Sequence, residues 1–387
     1  MLQTGKQGNS GRPEPAQDAP DRTADIRPIE PADIPAVAAL YQRILMHRKE
    51  AAPASLASYL EEIFLNHPRF DADMPSRVYI DQKGAVGGFI GVLPAPMLLD
   101  GNPVRAAVAG SLMVDNPVEN PLAGARLLRS VRSGPQDLSI SETANDISMG
   151  MWEQMGDRAL PRYSLQWIRV FRPAGFAAAA LAERFKAARV LRPVASLTDS
   201  AAGPLYHSAL FGSDDKPRKY SRKEIEGRDL IAHLLELSKH YGLHPDWDEG
   251  TLEWTLRHAG RKQRHGEMRS HVVQSPSGKL LGCHVYFARP GGMAWVLQVL
   301  SSPKAEATVV ASLLDHARET GAVAVRGRVM PRTIAPLMRQ RAFFLCNAST
   351  VIHTKNPDIQ AAVDSGDAFI TGLAAESWIR LIGDRFE

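Results

Sequence analysis

The chain has 387 residues, which is enough for two ordinary domains. Hydrophobic residues make up 44% and charged residues 23%, the proportions of a soluble globular protein. A net charge of +4 is too mild to indicate a nucleic-acid-binding protein. No apolar run is long enough for a membrane-spanning helix. These properties predict a two-domain protein with no membrane span.

The two cysteines, Cys283 and Cys346, both lie in apolar, strand-like segments, and neither belongs to a C-x-x-C pair. This pattern predicts two buried free thiols and no metal or redox site. Free thiols are typical of a reducing compartment, so we expect a cytoplasmic protein.

The first half of the ordered chain is expected to span residues 25–173. Residues 1–24 contain too few apolar groups to form a core, and they are interpreted as a disordered leader rather than a signal peptide. After them, Asp33 is expected to cap a helix, and Gln82-Lys83-Gly84 is typical of a hairpin turn. The periodicity predicts the order β-α-α-β-β-β-α-β-α-β, which ends in a strand over residues 164–171.

The second half, residues 223–387, repeats this order after a helix and linker at residues 174–222. Ser302 is expected to cap a long helix with Pro303 at its first position, and a final strand is predicted over residues 343–353. We interpret the two halves as two copies of one fold. Two unrelated α/β domains are the alternative.

Two segments of the first half carry a motif. The first, Leu112-Met113-Val114-Asp115-Asn116-Pro117-Val118-Glu119-Asn120-Pro121-Leu122-Ala123-Gly124, reads as strand, loop and helix start. The second is Asn145-Asp146-Ile147-Ser148-Met149-Gly150-Met151-Trp152-Glu153-Gln154-Met155-Gly156. Together they resemble the GNAT acyltransferase superfamily. The resemblance implies an α/β fold with a mixed sheet, in two tandem GNAT-like copies, and acetyl-CoA or another acyl-CoA as cosubstrate.

The residues expected to hold acyl-CoA follow from that resemblance and from helix chemistry. A helix N-terminus offers free N–H groups to a diphosphate, and glycine permits close approach. The predicted set is Met113 and Val114 on the strand, Asn120, Gly124, Ala125 and Arg126 at the turn, and Asn145 and Trp152 in the second segment. Three positions depart from the family pattern: Glu119 replaces Arg or Gln, Leu122 replaces Gly, and Trp152 replaces the usual acid, Tyr. Leu122 fits only with a negative φ.

The remaining candidates concern the acceptor. Glu142 follows a predicted strand and is a candidate general base, with a solvated or ion-paired carboxylate as the alternative. Arg326 and Arg328 alternate along one strand, with Gln298 on the strand expected beside it, which suggests recognition of an anionic group on the acceptor. Pairing of the arginines with internal carboxylates is the alternative. His271 and His284 are interpreted as packed or surface histidines.

The resemblance therefore implies an acyltransferase that moves an acyl group, acetyl by preference, from acyl-CoA to the amine of a small molecule, sugar or peptide. The first half is expected to bind acyl-CoA and the second to shape the acceptor pocket. Two alternatives stay open: a transferase of the same fold that uses aminoacyl-tRNA, and a non-catalytic scaffold. Short basic runs do not favour the first, so nucleic acid is not expected as a partner.

Overall fold

The computed structural model describes residues 25–184 and 219–386. The predicted leader and most of the linker lie outside these residues. The strands are β1 Asp25–Pro28, β2 Arg77–Ile80, β3 Val86–Pro94, β4 Met97–Leu99, β5 Asn102–Val104, β6 Ala106–Val114, β7 Leu138–Ala144, β8 Gln166–Val170, β9 Ser221–Glu224, β10 Leu243–Pro245, β11 Glu267–Gln274, β12 Leu280–Ala288, β13 Met293–Ser301, β14 Ala324–Arg328, β15 Phe343–Leu345 and β16 Ser349–Thr354.

Eleven helices of the described residues flank these strands. They are α1 Ile34–Ile44, α2 Ala54–Phe64, α3 Ala123–Arg132, α4 Asp146–Gln154, α5 Pro161–Ser164, α6 Pro173–Arg184, α7 Gly227–Ser238, α8 Glu249–Gly260, α9 Glu306–Glu319, α10 Ile334–Arg339 and α11 Pro357–Ser365. No helix in the described part of the chain is both long and apolar enough to span a bilayer.

Two large mixed sheets form the body of the protein. The first has the order β1-β2-β3-β6-β7-β16, and the second has the order β15-β8-β14-β13-β12-β11-β9. Each contains one parallel pair, β6 with β7 and β13 with β14, among antiparallel neighbours. A third, small sheet of order β10-β4-β5 joins a hairpin of the first half to a strand of the second. The predicted fold class, α/β with two mixed sheets, is confirmed.

The two halves exchange their last strands. β8 comes from the end of the first half, but it lies between β14 and β15 in the second sheet. β16 comes from the second half and pairs with β7 in the first sheet. Each sheet is therefore completed by the other half of the chain. The sequence pattern located both segments but not this exchange, because short apolar strands do not specify their partners.

Both faces of the first sheet are covered. Val37 of α1 and Leu56 of α2 are buried in one core cluster, together with residues of the second half. Leu127 of α3 and Trp152 of α4 are buried in another cluster, which also contains Ala107 and Ala109 of β6. The sheet thus separates a side with α3 and α4 from a side with α1 and α2 that faces the second half.

Several local predictions were wrong. The long helix of the second half begins at Glu306, and Ser302 instead donates to the carbonyl oxygen of Leu280 at 3.1 Å. Asp33 is the N-cap residue of α1, as predicted, but its side chain makes no cap hydrogen bond, because its carboxylate accepts the N–H of Glu30 at 2.8 Å. Cys283 is a buried free thiol, but Cys346 is exposed.

Candidate active site

The parallel pair of the first sheet separates into a V-shaped opening. β6 and β7 pair only from Ala106 with Leu138 to Val108 with Ile140. Beyond that point β6 stays bonded to β3 and β7 to β16, so their facing backbone edges have no strand partner. β6 also carries a bulge, where Ser111 has a φ of 53°. We call the opening beyond Val108 and Ile140 the first V.

The N-terminus of α3 lies in the loop that follows β6. Leu122 is the N-cap residue, with a φ of −100°, which is the negative value that this position requires, and no side chain caps the helix. The N–H groups of Gly124 and Ala125 find no acceptor in the described part of the chain. Two free N–H groups at a helix N-terminus form a site suited to an anion.

The other residues of this loop are exposed to solvent or contact β2. Glu119 is exposed, so its carboxylate can stay in solvent. Asn120 accepts a hydrogen bond from the hydroxyl of Tyr79 at 3.0 Å, and the guanidinium of Arg126 lies 5.6 Å from the centre of the same ring. These two contacts with Tyr79 hold the loop against β2.

Gly124 allows close packing of α3 against α4. A Cβ at this position would lie 3.0 Å from Cε of Met151 and 3.5 Å from the side chain of Val114. Asn145 caps α4 by accepting the N–H of Ser148 at 2.9 Å. Trp152 is fully buried, and its indole N–H has no partner among the described residues. Met113 is also buried. In this conformation Trp152 belongs to the core and has no surface for a ligand.

Glu142 is held by backbone and side-chain donors. It accepts the N–H groups of Gly372, Glu376 and Ser377 at 2.9–3.0 Å and the Ser377 hydroxyl at 2.8 Å. Its Oε1 also lies 3.4 Å from Nε of Arg328. These four donors and the guanidinium already occupy the carboxylate oxygens of Glu142. The surroundings suit a structural role, in contrast to the candidate base that the sequence suggested.

The predicted acceptor residues lie in the second sheet, where β13 and β14 also separate. They pair up to Trp295 with Arg326, and we call the opening beyond them the second V. Arg328 meets the internal carboxylate of Glu142, and Arg326 lies 3.9 Å above the ring of Trp295. Gln298 accepts the N–H of Leu373 at 3.0 Å. Gln298 and Arg328 line a cavity of about 30 Å³ in the second V.

One further residue of the first V, Glu376, was not predicted from the sequence. Glu376 lies in the segment after α11, which carries no motif, and its carboxyl group enters the first V. Oε1 accepts the backbone N–H of Thr143 at 3.0 Å and its hydroxyl at 2.6 Å. Oε2 lies over Gly110 of β6, where a Cβ would overlap it. Burial raises the pKa of Glu376 to about 7, although the Thr143 hydroxyl lowers it and the charge of Glu142 raises it further.

A second cavity of about 40 Å³ lies beside the first V, on the side of α1 and α2. Val108, Ala375, Trp247, Trp378 and His67 are among its lining residues. Nδ1 of His67 accepts the N–H of Arg69 at 3.0 Å, and burial lowers the pKa of this histidine to about 4. The lining is largely apolar, with Arg69 and Asp246 as its charged members, and it includes Ala375, the residue before Glu376.

No known family profile matches the sequence, and no characterised protein is close enough in sequence to count as a relative. Solved structures do match. A probable N-acyltransferase from Enterococcus faecalis matches with a TM-score of 0.54 at 10% identity, over 86% of this chain and 73% of that chain. A GCN5-related N-acetyltransferase from Anabaena variabilis matches with a TM-score of 0.56 at 10% identity, over 87% of this chain and 74% of that chain.

At these identities the likeness concerns the fold. It fits the arrangement described above, in which a parallel pair separates beside a bulged strand and a helix N-terminus follows that strand. That arrangement occurs in each sheet, so the chain has the GNAT fold in two tandem copies.

Proposed function

We propose that this protein is an acyl-CoA-dependent N-acyltransferase whose reaction takes place in the first V. The observation that supports this most is the position of two free N–H groups, those of Gly124 and Ala125, at the end of the strand that forms one wall of the V. A single extended acyl-CoA would then place its diphosphate at the helix N-terminus and its thioester between the strands.

Each part of an acyl-CoA finds a matching group there. The diphosphate would accept hydrogen bonds from the N-terminal turn of α3, and the helix dipole favours its charge. Arg126 and Arg129 add positive charge on the same helix. The amides of the pantetheine arm would pair with the open edge of β6 near Met113 and Val114, in the manner of an added strand. The thioester would then reach the bulge at Ser111.

The second half offers a poorer site for the diphosphate. The carboxylate of Glu306, in the first turn of α9, accepts the N–H of Lys304 at 3.3 Å, so an anion already lies at this helix N-terminus. Lys304 and Arg339 line an open groove nearby, and Arg332 in the same groove is paired with Asp367 at 2.5 Å. Positive charge is thus present in the second half, but the carboxylate of Glu306 competes with a diphosphate for the N–H groups at the N-terminus of α9.

The acceptor is proposed to be an amine that enters from the side of α1 and α2. The cavity beside the first V lies on this side, and Trp247, Trp378 and Val108 in its lining suit an apolar or aromatic group. Acetyl is the acyl group that we propose to test first.

The experiment introduces a glutamate into the first turn of α3 in one variant and into the first turn of α9 in another. Ala125 and Thr308 are the third residues of α3 and α9, and both are half-buried. A glutamate in a first turn does not harm a helix, because it favours the helix dipole. In thermal unfolding, acetyl-CoA at 100 times its Kd should stabilise the wild type and Thr308→Glu by about 2.7 kcal/mol. Ala125→Glu should show no such gain. An equal response in all three proteins would contradict the proposal.

A further inference from the structure

Two neighbouring carboxyl groups, Glu142 and Glu376, have very different surroundings. Glu142 has four hydrogen-bond donors and a guanidinium beside it. Glu376 is just as buried, but both of its donors belong to Thr143 and both reach Oε1. No donor in the described part of the chain reaches Oε2. A carboxyl oxygen without a donor is unfavourable in a side chain that is otherwise buried, so the position of Oε2 calls for an explanation.

The position of Oε2 supplies that explanation. Thr143 belongs to β7 and Gly110 to β6, so the carboxyl group bridges the two walls of the first V. Gly110 precedes the bulge residue Ser111, and its lack of a side chain leaves the room that Oε2 occupies. The cavity on the side of α1 and α2 is lined by Ala375, the residue next to Glu376 in the chain.

We infer that Glu376 is the catalytic base that deprotonates the acceptor amine in the first V. Thr143 is its positioning residue, because its two hydrogen bonds hold Oε1 and turn Oε2 toward β6. This inference rests on the proposed acyl-CoA-dependent function and adds the residue that starts the reaction.

The step balances without any further reactant. Oε2 takes a proton from the acceptor ammonium, which leaves the neutral amine with its lone pair. The lone pair attacks the thioester carbonyl carbon, and the C–S bond then breaks. The attacking nitrogen loses a second proton, which protonates the leaving thiolate to give the thiol of CoA. Glu376 afterwards releases its proton to solvent, so the products are an amide, CoA and one proton.

The charged groups around Glu376 come from several elements. Glu142 lies on β7, Arg328 on β14 and Lys262 after α8. Lys262 donates to the carbonyl oxygen of Ser377 at 2.7 Å, and burial lowers its pKa to about 8. Burial raises the pKa of Glu376 to about 7. A base whose pKa lies near neutral pH can both accept and release a proton there.

The test uses the full chain, acetyl-CoA and two aromatic amines of similar size. Benzylamine is protonated at neutral pH and needs a base, whereas O-benzylhydroxylamine is already unprotonated. Glu376→Gln is expected to lower kcat/KM for benzylamine by about 100-fold to 10,000-fold, the usual contribution of a general base. The same variant should lower kcat/KM for O-benzylhydroxylamine by less than about tenfold. The rate with benzylamine should fall in the wild type as pH drops below about 7.

The variant Thr143→Val tests the role of Thr143 through the pH profile of the reaction, which would not change if Thr143 had only a structural role. The lost hydroxyl donor favoured the charged carboxylate, so the pKa of Glu376 should rise and the acid limb of the wild-type pH profile should shift to higher pH. A carbon-13 NMR titration of the Glu376 carboxyl group checks the same shift without turnover.

The outcomes separate this inference from the proposed function. Equal loss with both amines, or full activity of Glu376→Gln with benzylamine, would overturn the role of Glu376 while acetyl-CoA binding still supports the acyltransferase. Wild-type protein that binds acetyl-CoA but acetylates neither amine would also overturn the inference. Wild-type protein that binds no acetyl-CoA would overturn both.

Discussion

The first and second V openings have the same strand order but different contents. Counted from the last paired residue of each parallel pair, Gly110 of the first V corresponds to Leu297 of the second. Gly110 leaves room for the carboxyl group of Glu376, whereas Leu297 fills its position with a buried apolar side chain. The two openings thus differ at this equivalent position. The first leaves room for a carboxyl group, and the second is filled by an apolar side chain.

The same count shows how the two openings are joined. Glu142 and Arg328 occupy equivalent positions, two residues beyond Ile140 and Arg326, and they lie beside each other with atoms 3.4 Å apart. Thr350 of the exchanged strand β16 accepts from Arg328 at 2.7 Å. The two copies therefore contact each other through equivalent positions of opposite charge.

The largest expected effect is on this contact. Arg328→Met should lower the free energy of unfolding by about 3–5 kcal/mol, because it leaves the buried charge of Glu142 without its cationic partner. Arg326→Met, which removes a cation from the face of Trp295, should cost about 1 kcal/mol. Urea unfolding measures both values. Equal losses of unfolding free energy would mean that the contact of Arg328 with Glu142 stabilises the protein no more than the contact of Arg326 with Trp295.

The second prediction concerns the pH dependence of stability. The pKa of Glu376 is raised from 4.5 to about 7 in the folded protein, so the folded state keeps a proton that the unfolded chain releases. Wild-type stability should therefore fall as pH rises from about 4.5 to about 7. Glu376→Gln lacks this effect and should gain about 3 kcal/mol relative to the wild type over that interval. Parallel pH dependences for the two proteins would contradict the raised pKa.

A third change tests the difference between Gly110 and Leu297 directly. Gly110→Ala should displace the Glu376 carboxyl group and lower kcat about 100-fold, since small misplacements of a reacting group are costly. Leu297→Ala is the matched control in the second V. It should destabilise the protein by about 2–5 kcal/mol through the cavity it leaves, while kcat changes little. A larger loss of kcat in Leu297→Ala would place the reaction in the second V.

The smallest effect is expected at Trp152. Trp152→Phe should cost about 1–2 kcal/mol of stability, because the smaller ring leaves a gap in a fully buried position. Turnover should fall by less than about tenfold, since an indole N–H is not an acid. If turnover fell about a thousandfold while acetyl-CoA still bound, Trp152 would have a role in the reaction rather than in packing.

The sequence allowed the element order and the turn at α3 to be predicted, because helical periodicity, caps and the motif around Gly124 are local signals. The strand exchange of β8 and β16 could not be predicted, because strand partners are chosen by tertiary packing. Glu142 was predicted as a candidate base because it follows a predicted strand. Its partners Gly372 and Ser377 lie more than two hundred residues away in the chain, so no local pattern reveals them. Glu376 lies in a segment without periodicity or motif, and only the folded chain brings it to Thr143.

A crystal structure with a non-hydrolysable acetyl-CoA analogue tests the central claim most directly. We expect one analogue per chain, with its diphosphate bonded to the N–H groups of Gly124 and Ala125 and its acyl carbonyl in the first V, beside Glu376. An analogue whose diphosphate lies at Glu306 and Ala307 of α9, or whose acyl group lies in the second V, would contradict it.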